Sequence, residues 1–178
     1  MSPTATARLK PPVGANDHAQ GPANAPVTIV EYGDYECPYC GEAYPVTKAL
    51  QQRLGNQLRF VFRNFPLNEA HPHAEHAAEA AEAAGAQGKF WEMHDLLYEN
   101  QDALEDEDLS RYAHALHLDE KRFVKDMSEH RYAERVREDF RSGAKSGVNG
   151  TPTFFINGVR HDGPFDLKSM IAAIEEAV

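Results

Sequence analysis

Cysteine is almost absent from this chain: two occur in 178 residues, Cys37 and Cys40. Any disulfide within the chain therefore joins these two. A ring that small removes little freedom from the unfolded chain and is a poor structural staple. Basic residues are also scarce, 18 Lys and Arg against 28 Asp and Glu, for a formal charge of −10. No basic cluster forms a surface that tracks phosphates, so nucleic acid and anionic lipid are excluded as partners. Long apolar runs are missing too. Nothing reaches the ~20 residues of a transmembrane helix. Residues Met1 to Gln20 are polar and rich in Pro, Gly and Ala, without the apolar core of a secretory signal. These absences predict a cytoplasmic protein with no membrane partner, or a periplasmic or exported one whose signal has been removed.

What the chain does contain is a change of pattern around the two cysteines. Residues 1–16 read as a flexible leader, with Pro3, Pro11 and Pro12 opposing regular structure. Val27 to Tyr32 is a β-branched apolar run between Pro26 and Gly33, the pattern of a strand buried on both faces. From Pro38 to Leu54 the spacing turns helical and Gly55 is a stop. Leu58 to Phe65 reads as a second strand with Leu58, Phe60 and Phe62 on one face.

A helical block follows, about residues 67–147, opened by an Ala-rich helix whose Glu75, Glu79 and Glu82 are expected on a solvent face. Asp119 is a good N-cap within the block, and Tyr132, Val136 and Phe140 step along its last helix. Thr153 to Ile156 is a strand, Asn157-Gly158 a type I′ hairpin signal, and Phe165 to Val178 a final helix capped by Asp166. The order β, α, β, helical block, β, β, α places 17–178 in one α/β domain.

Two cysteines separated by two residues, where a strand gives way to a helix, point to reversible redox chemistry. Disulfide exchange needs a thiolate. Cys37 lies at the helix start, where unpaired amides and the positive end of the dipole favour an anion, and Pro38 suits the first helical position. Cys40, a turn later, is the resolving thiol. Glu36 is adjacent and opposes the anion, which places Cys37 in the upper part of the ~3.5–7.5 range of activated thiols. The competing use is zinc, with two of four ligands supplied here and the rest by His71, His73 or His76. Those histidines also read as residues that cap and flank the helix start after Pro72, with no acidic ligand at metal spacing beside them. Glu31, in an otherwise apolar strand, is either a buried proton acceptor for Cys40 or a strand-end carboxylate reaching solvent.

The EYGDYECPYC block, RNFPL, the HPHAEHAAEAA helix, GKFWEMHDLLYENQ and GVNGTPTFFINGVR together resemble the thioredoxin fold and, with a helical insertion between its halves, the DsbA family. The resemblance implies a redox-active dithiol at Cys37 and Cys40 and a cis peptide before Pro152, which taken alone reads as an ordinary strand-start proline. It implies that Thr151 touches the thiolate, and that Pro38, Tyr39, Thr151 and Pro152 meet the substrate. The implied function is thiol:disulfide exchange with protein or peptide substrates, a redox partner recycling the dithiol, and no cofactor or metal. Tyr39, where strongly oxidising relatives carry His, and Glu36 both argue for a reducing potential. Two rivals carry other signatures. Glutathione-dependent transferases of the kappa-like branch usually have Ser at the first active-site position, and a redox-silent binding module needs neither thiol.

Overall fold

The computed structural model describes residues 5–178. Five strands form one sheet: β1 (His18–Gln20), β2 (Val27–Gly33), β3 (Leu58–Asn64), β4 (Thr153–Ile156) and β5 (Val159–His161), in the order β1-β3-β2-β4-β5. The central strand β2 runs parallel to β3 and antiparallel to β4. Helix α1 (Pro38–Leu54) makes the crossover between the parallel pair, and α7 (Leu167–Ala177) closes the chain. Between β3 and β4 stand α2 (Ala74–Gly85), α3 (Phe90–Glu99), α4 (Asp106–Ala115), α5 (Glu120–Ser128) and α6 (Ala133–Lys145).

The period-two rule sorts β2 between two layers of core. Val27 and Ile29 join Phe60, Phe62 and Phe154 in the core that also holds Cys37, Cys40 and the helical block. Val30 and Tyr32 face the other side, with Val61, Phe65 and Phe155. Glu31 shares the parity of Val27 and Ile29, so it points toward the cysteines. The hairpin residues Asn157 (φ 48°) and Gly158 (φ 83°) both take left-handed backbone, which a type I′ turn requires. Asp119 and Asp166 cap their helices by accepting from the amides of Arg122 and Ser169.

One strand is added and two expectations change. Strand β1 is too short to have a period, and pairing with β3 alone defines it. The leader is tied down over its described part: the Leu9 amide donates to Gly158 (2.9 Å), the Arg160 amide to Ala7 (2.9 Å), and Leu9 is buried. Arg63 adds bonds to the carbonyls of Pro11 (3.1 Å) and Pro12 (3.4 Å) and to the Asp17 carboxylate (2.8 and 2.9 Å). Residues 1–4 lie outside the described residues.

The third change concerns α2, which has no broad solvent face. It packs among α3, α5 and α6, its alanines are buried, and so are Glu79 and Glu82. Alanine allows this close approach because it has no side chain beyond Cβ to accommodate. The acids are tolerated because distant residues meet them. His18 Nε2 (2.8 Å) and Asn64 Nδ2 (3.1 Å) bond Glu82, and His130 Nδ1 bonds Glu79 (3.1 Å). Glu75 remains only partly buried.

Candidate active site

Cys37 is the N-cap of α1, with extended backbone (φ −70°, ψ 123°) and Pro38 next in line. No side chain caps this helix, so its first amides are free to face the sulfur. Cys37 and Cys40 are both buried free thiols, while Pro38 and Tyr39 between them are exposed, Tyr39 at 62%. The Thr151–Pro152 peptide is cis, and it lies opposite the pair: Cys37 Sγ is 3.6 Å from the Thr151 carbonyl oxygen. Cys37, Cys40, Thr151 and Pro152 thus meet at one point.

The two thiols are driven apart electrostatically. Donation from the Cys40 thiol is the largest influence on Cys37; burial opposes it, and Thr151 and the amides of Cys40 and Tyr39 add to it, bringing Cys37 down to about 5. Thr151 Oγ1 is buried and has no other partner to claim it. Cys40 is pushed well up, first by burial, then by its bond to Cys37 and the nearby Glu31 charge. Glu31 is buried, 1% exposed, with Oε1 unpaired. Burial first, and then the Cys37 charge, raise its carboxyl to about 8. Glu31 is therefore not a strand-end carboxylate reaching water.

Glu36 does not press on the sulfur as its adjacency implied. Its Oε2 accepts from the His73 amide at 2.6 Å, at the start of α2. Cys37 falls below the upper part of the activated range because donation from Cys40 and Thr151 and from two helix-start amides outweighs its burial.

Asp34 and Gln101 did not stand out in the sequence, and His71 did so only as a metal or helix-flanking candidate. The Asp34 carboxylate, fully buried, accepts from the amides of Glu36 (2.8 Å), Cys37 (3.2 Å) and Leu67 (2.9 Å) and from His71 Nδ1 (2.7 Å). Burial opposes charge on His71, but the Asp34 bond and charge, and then Cys37 and Glu36, outweigh it and raise the ring. Gln101 Nε2, just beyond α3, donates to the carbonyls of Tyr35 and Cys37, both at 2.9 Å. Gly41 makes room for it, since a Cβ there would collide with Gln101 Oε1. A polar residue within a few positions of a CxxC is the one signal in the sequence, and it marks Asp34 alone.

The histidines disperse. His71 serves Asp34, and the His73 amide serves Glu36. His76 joins Glu79 and His130 in a cluster of metal-type ligands that does not include the cysteines. The expectation that no acid stood beside these histidines is overturned by Glu79.

A parallel β2–β3 unit, an antiparallel β4–β5 hairpin, a helix starting at a CxxC and a helical insertion define the thioredoxin-like fold in its DsbA form. The family model described as thioredoxin matches residues 14–176, and the chain belongs to that family. Its structure is similar to that of BdbD from Bacillus subtilis, with a TM-score of 0.83 and 22% identity over 97% of this chain and 96% of that one. It is also similar to alpha-DsbA1 from Wolbachia pipientis, with a TM-score of 0.78 and 20% identity over 93% and 92% of the two chains. In sequence it is 50% identical over 161 residues to the Na(+)/H(+) antiporter NhaA 3 of Salinispora tropica, which covers 90% of this chain and 24% of that protein. The chain thus spans about a quarter of the length of the curated relatives it matches. None of its described helices is long and apolar enough to cross a membrane.

Proposed function

We propose that this chain is a thiol:disulfide oxidoreductase of the DsbA type, acting on protein or peptide substrates through Cys37 and Cys40. The observation that carries the reading is the split between the two thiols. Cys37 is lowered to about 5 at a helix start, whereas Cys40 beside it is raised. An attacking thiolate and a protonated resolving thiol are what the two steps of exchange need.

In the first step the Cys37 thiolate attacks one sulfur of a substrate disulfide. A mixed disulfide forms, the substrate S–S bond breaks, and one substrate thiolate leaves. The Cys37 charge then disappears, and with it one of the two influences that hold Glu31 up. Glu31 ionises more readily at the moment a base is needed and takes the Cys40 proton. The Cys40 thiolate attacks Cys37 Sγ, a Cys37–Cys40 disulfide closes, and the second substrate thiolate leaves. The substrate gains two electrons and the dithiol loses two. The reverse sequence oxidises a substrate dithiol, and a redox partner restores the starting state.

Exposed Pro38 and Tyr39 lie between the two cysteines, and Thr151 and Pro152 lead into β4 opposite them, so an extended substrate would lie between these two segments. A groove of about 700 Å³, lined in part by Leu67, Val136, Phe140 and Arg141, lies between the segment after β3 and α6 and includes none of the dithiol residues. The test is insulin reduction and dithiol-peptide oxidation. Wild type should catalyse both, Cys37→Ser neither, and Cys40→Ser should accumulate a mixed disulfide at Cys37. Activity retained by Cys37→Ser would overturn the reading.

A further inference from the structure

Apart from the dithiol, three metal-type ligands converge within the helical insertion. His76 and Glu79 lie three residues apart on α2, and His130 occupies the turn between α5 and α6; their ligand atoms all lie within 4.8 Å of one another. We propose that His76, Glu79 and His130 form a binding site for a divalent transition-metal ion of the zinc type, which fastens α2 to the α5–α6 turn.

The spacing suits such an ion. Bonds of about 2.0–2.1 Å arranged tetrahedrally hold ligand atoms ~3.4 Å apart. His130 Nδ1 and Glu79 Oε1, at 3.1 Å, already have nearly that separation. The rings of His76 and His130 have centroids 5.5 Å apart, within reach of a side-chain rotation. His76 Nδ1 is hydrogen-bonded to Asp106 at 3.0 Å, at the start of α4. A carboxylate on one ring nitrogen orients the ring and leaves the other for a metal.

Two further observations single out this cluster from an ordinary ion-pair network. Glu79 is only 2% exposed, a costly place for a carboxylate, and its hydrogen-bond partner His130 is itself exposed. A bound dication would offset that burial. His130 has left-handed backbone (φ 51°), at a helix end where glycine is the usual occupant. That backbone brings the His130 ring to Glu79, a hydrogen-bond partner that a glycine would not supply.

The donor set determines the class of ion. Two imidazoles and one carboxylate suit zinc, cobalt, nickel or copper, whereas calcium and magnesium call for oxygen ligands. A cavity of about 240 Å³ beside the histidines, with Leu109, Phe123 and Met127 in its wall, has room for a fourth ligand from solvent.

The test uses untagged full-length protein carrying Cys37→Ser and Cys40→Ser, so that no thiol competes for metal. Zinc chloride is titrated by calorimetry and cobalt(II) by visible spectroscopy. One equivalent of zinc should bind and raise the thermal midpoint. His130→Asn, which tolerates the left-handed backbone, Glu79→Gln, and the half-exposed His76→Gln should each weaken binding at least ~10-fold and abolish the thermal shift. Absence of a one-equivalent site in the parent overturns the proposal. So does parent-like affinity in any variant that folds, and His76→Gln and His130→Asn, both at exposed side chains, provide that readout if the buried Glu79→Gln fails to fold.

Discussion

Asp34 Oδ2 accepts a hydrogen bond from His71 Nδ1 at 2.7 Å, while Oδ1 of the same carboxylate holds the amides of Glu36 and Cys37. One buried anion therefore fixes the turn that presents the Cys37 sulfur and carries its own counter-ion. Without His71 the Asp34 charge would oppose the thiolate three residues away.

His71→Gln should raise the Cys37 titration midpoint by up to about one unit while leaving the fold intact. Asp34→Asn should cost about 1–3 kcal/mol, because an amide cannot accept from all four donors and leaves some unpaired. The sign of the pH effect follows from the raised His71. The stabilisation from this pair is full below about 6.5, the ordinary histidine value, and declines as pH rises through the higher folded value. Denaturant unfolding of wild type, His71→Gln and Asp34→Asn from pH 5 to 9 checks the two stability effects, and the pH dependence of Cys37 alkylation checks the midpoint.

Alkylation of the reduced protein should follow a single ionisation near pH 5 and label Cys37 alone. Mass spectrometry of the labelled peptide reads this directly; modification of Cys40 first would reverse the assignment.

Glu31 gives an opposite pH signature to that of a paired surface acid. Its folded value is raised, from 4.5 to about 8, so its contribution to stability is complete below 4.5 and is lost as pH rises to about 8. Glu31→Gln should match wild type at pH 4 and become progressively more stable than it up to pH 8. In the disulfide form the thiolate is gone, and the loss should be complete at a lower pH. The same variant should slow resolution of the mixed disulfide and leave the first attack unchanged, as stopped-flow kinetics would show.

Gly41→Ala should displace Gln101 and break its two bonds to the backbone of the CxxC turn, at a cost of about 1–3 kcal/mol. In a Gln101→Ala background the same change should be much cheaper. A double-mutant cycle by thermal unfolding measures the coupling.

The reduction potential should fall between about −270 mV for thioredoxin and about −120 mV for a strong oxidant. A nucleophile at about 5 lies between those extremes, and Glu36, which argued for the reducing side, is occupied by the His73 amide. Equilibration against glutathione measures it.

The β2, α1 and β3 succession, the Asn157-Gly158 hairpin and the caps Asp119 and Asp166 were legible in the sequence because period, turn chemistry and capping act over a few residues. The placement of Cys37 and Cys40 where β2 gives way to α1 was legible for the same reason. The burial of Glu79 and Glu82 was not, because their partners His130, His18 and Asn64 come from other elements. Gln101 was hidden for the same cause, since 64 residues separate it from Cys37.

Three hydrogen bonds join the CxxC turn to the segment that leads into α2: Asp34 to the Leu67 amide, Asp34 to His71, and Glu36 to the His73 amide. The helical insertion is for this reason not an interchangeable cassette. A graft that replaced residues 67–73 with another relative's segment would remove all three struts at once, and the Cys37 turn would inherit the defect even though the sheet and α1 were untouched. Recombination between family members should therefore tolerate crossovers beyond the start of α2 far better than crossovers between β3 and α2.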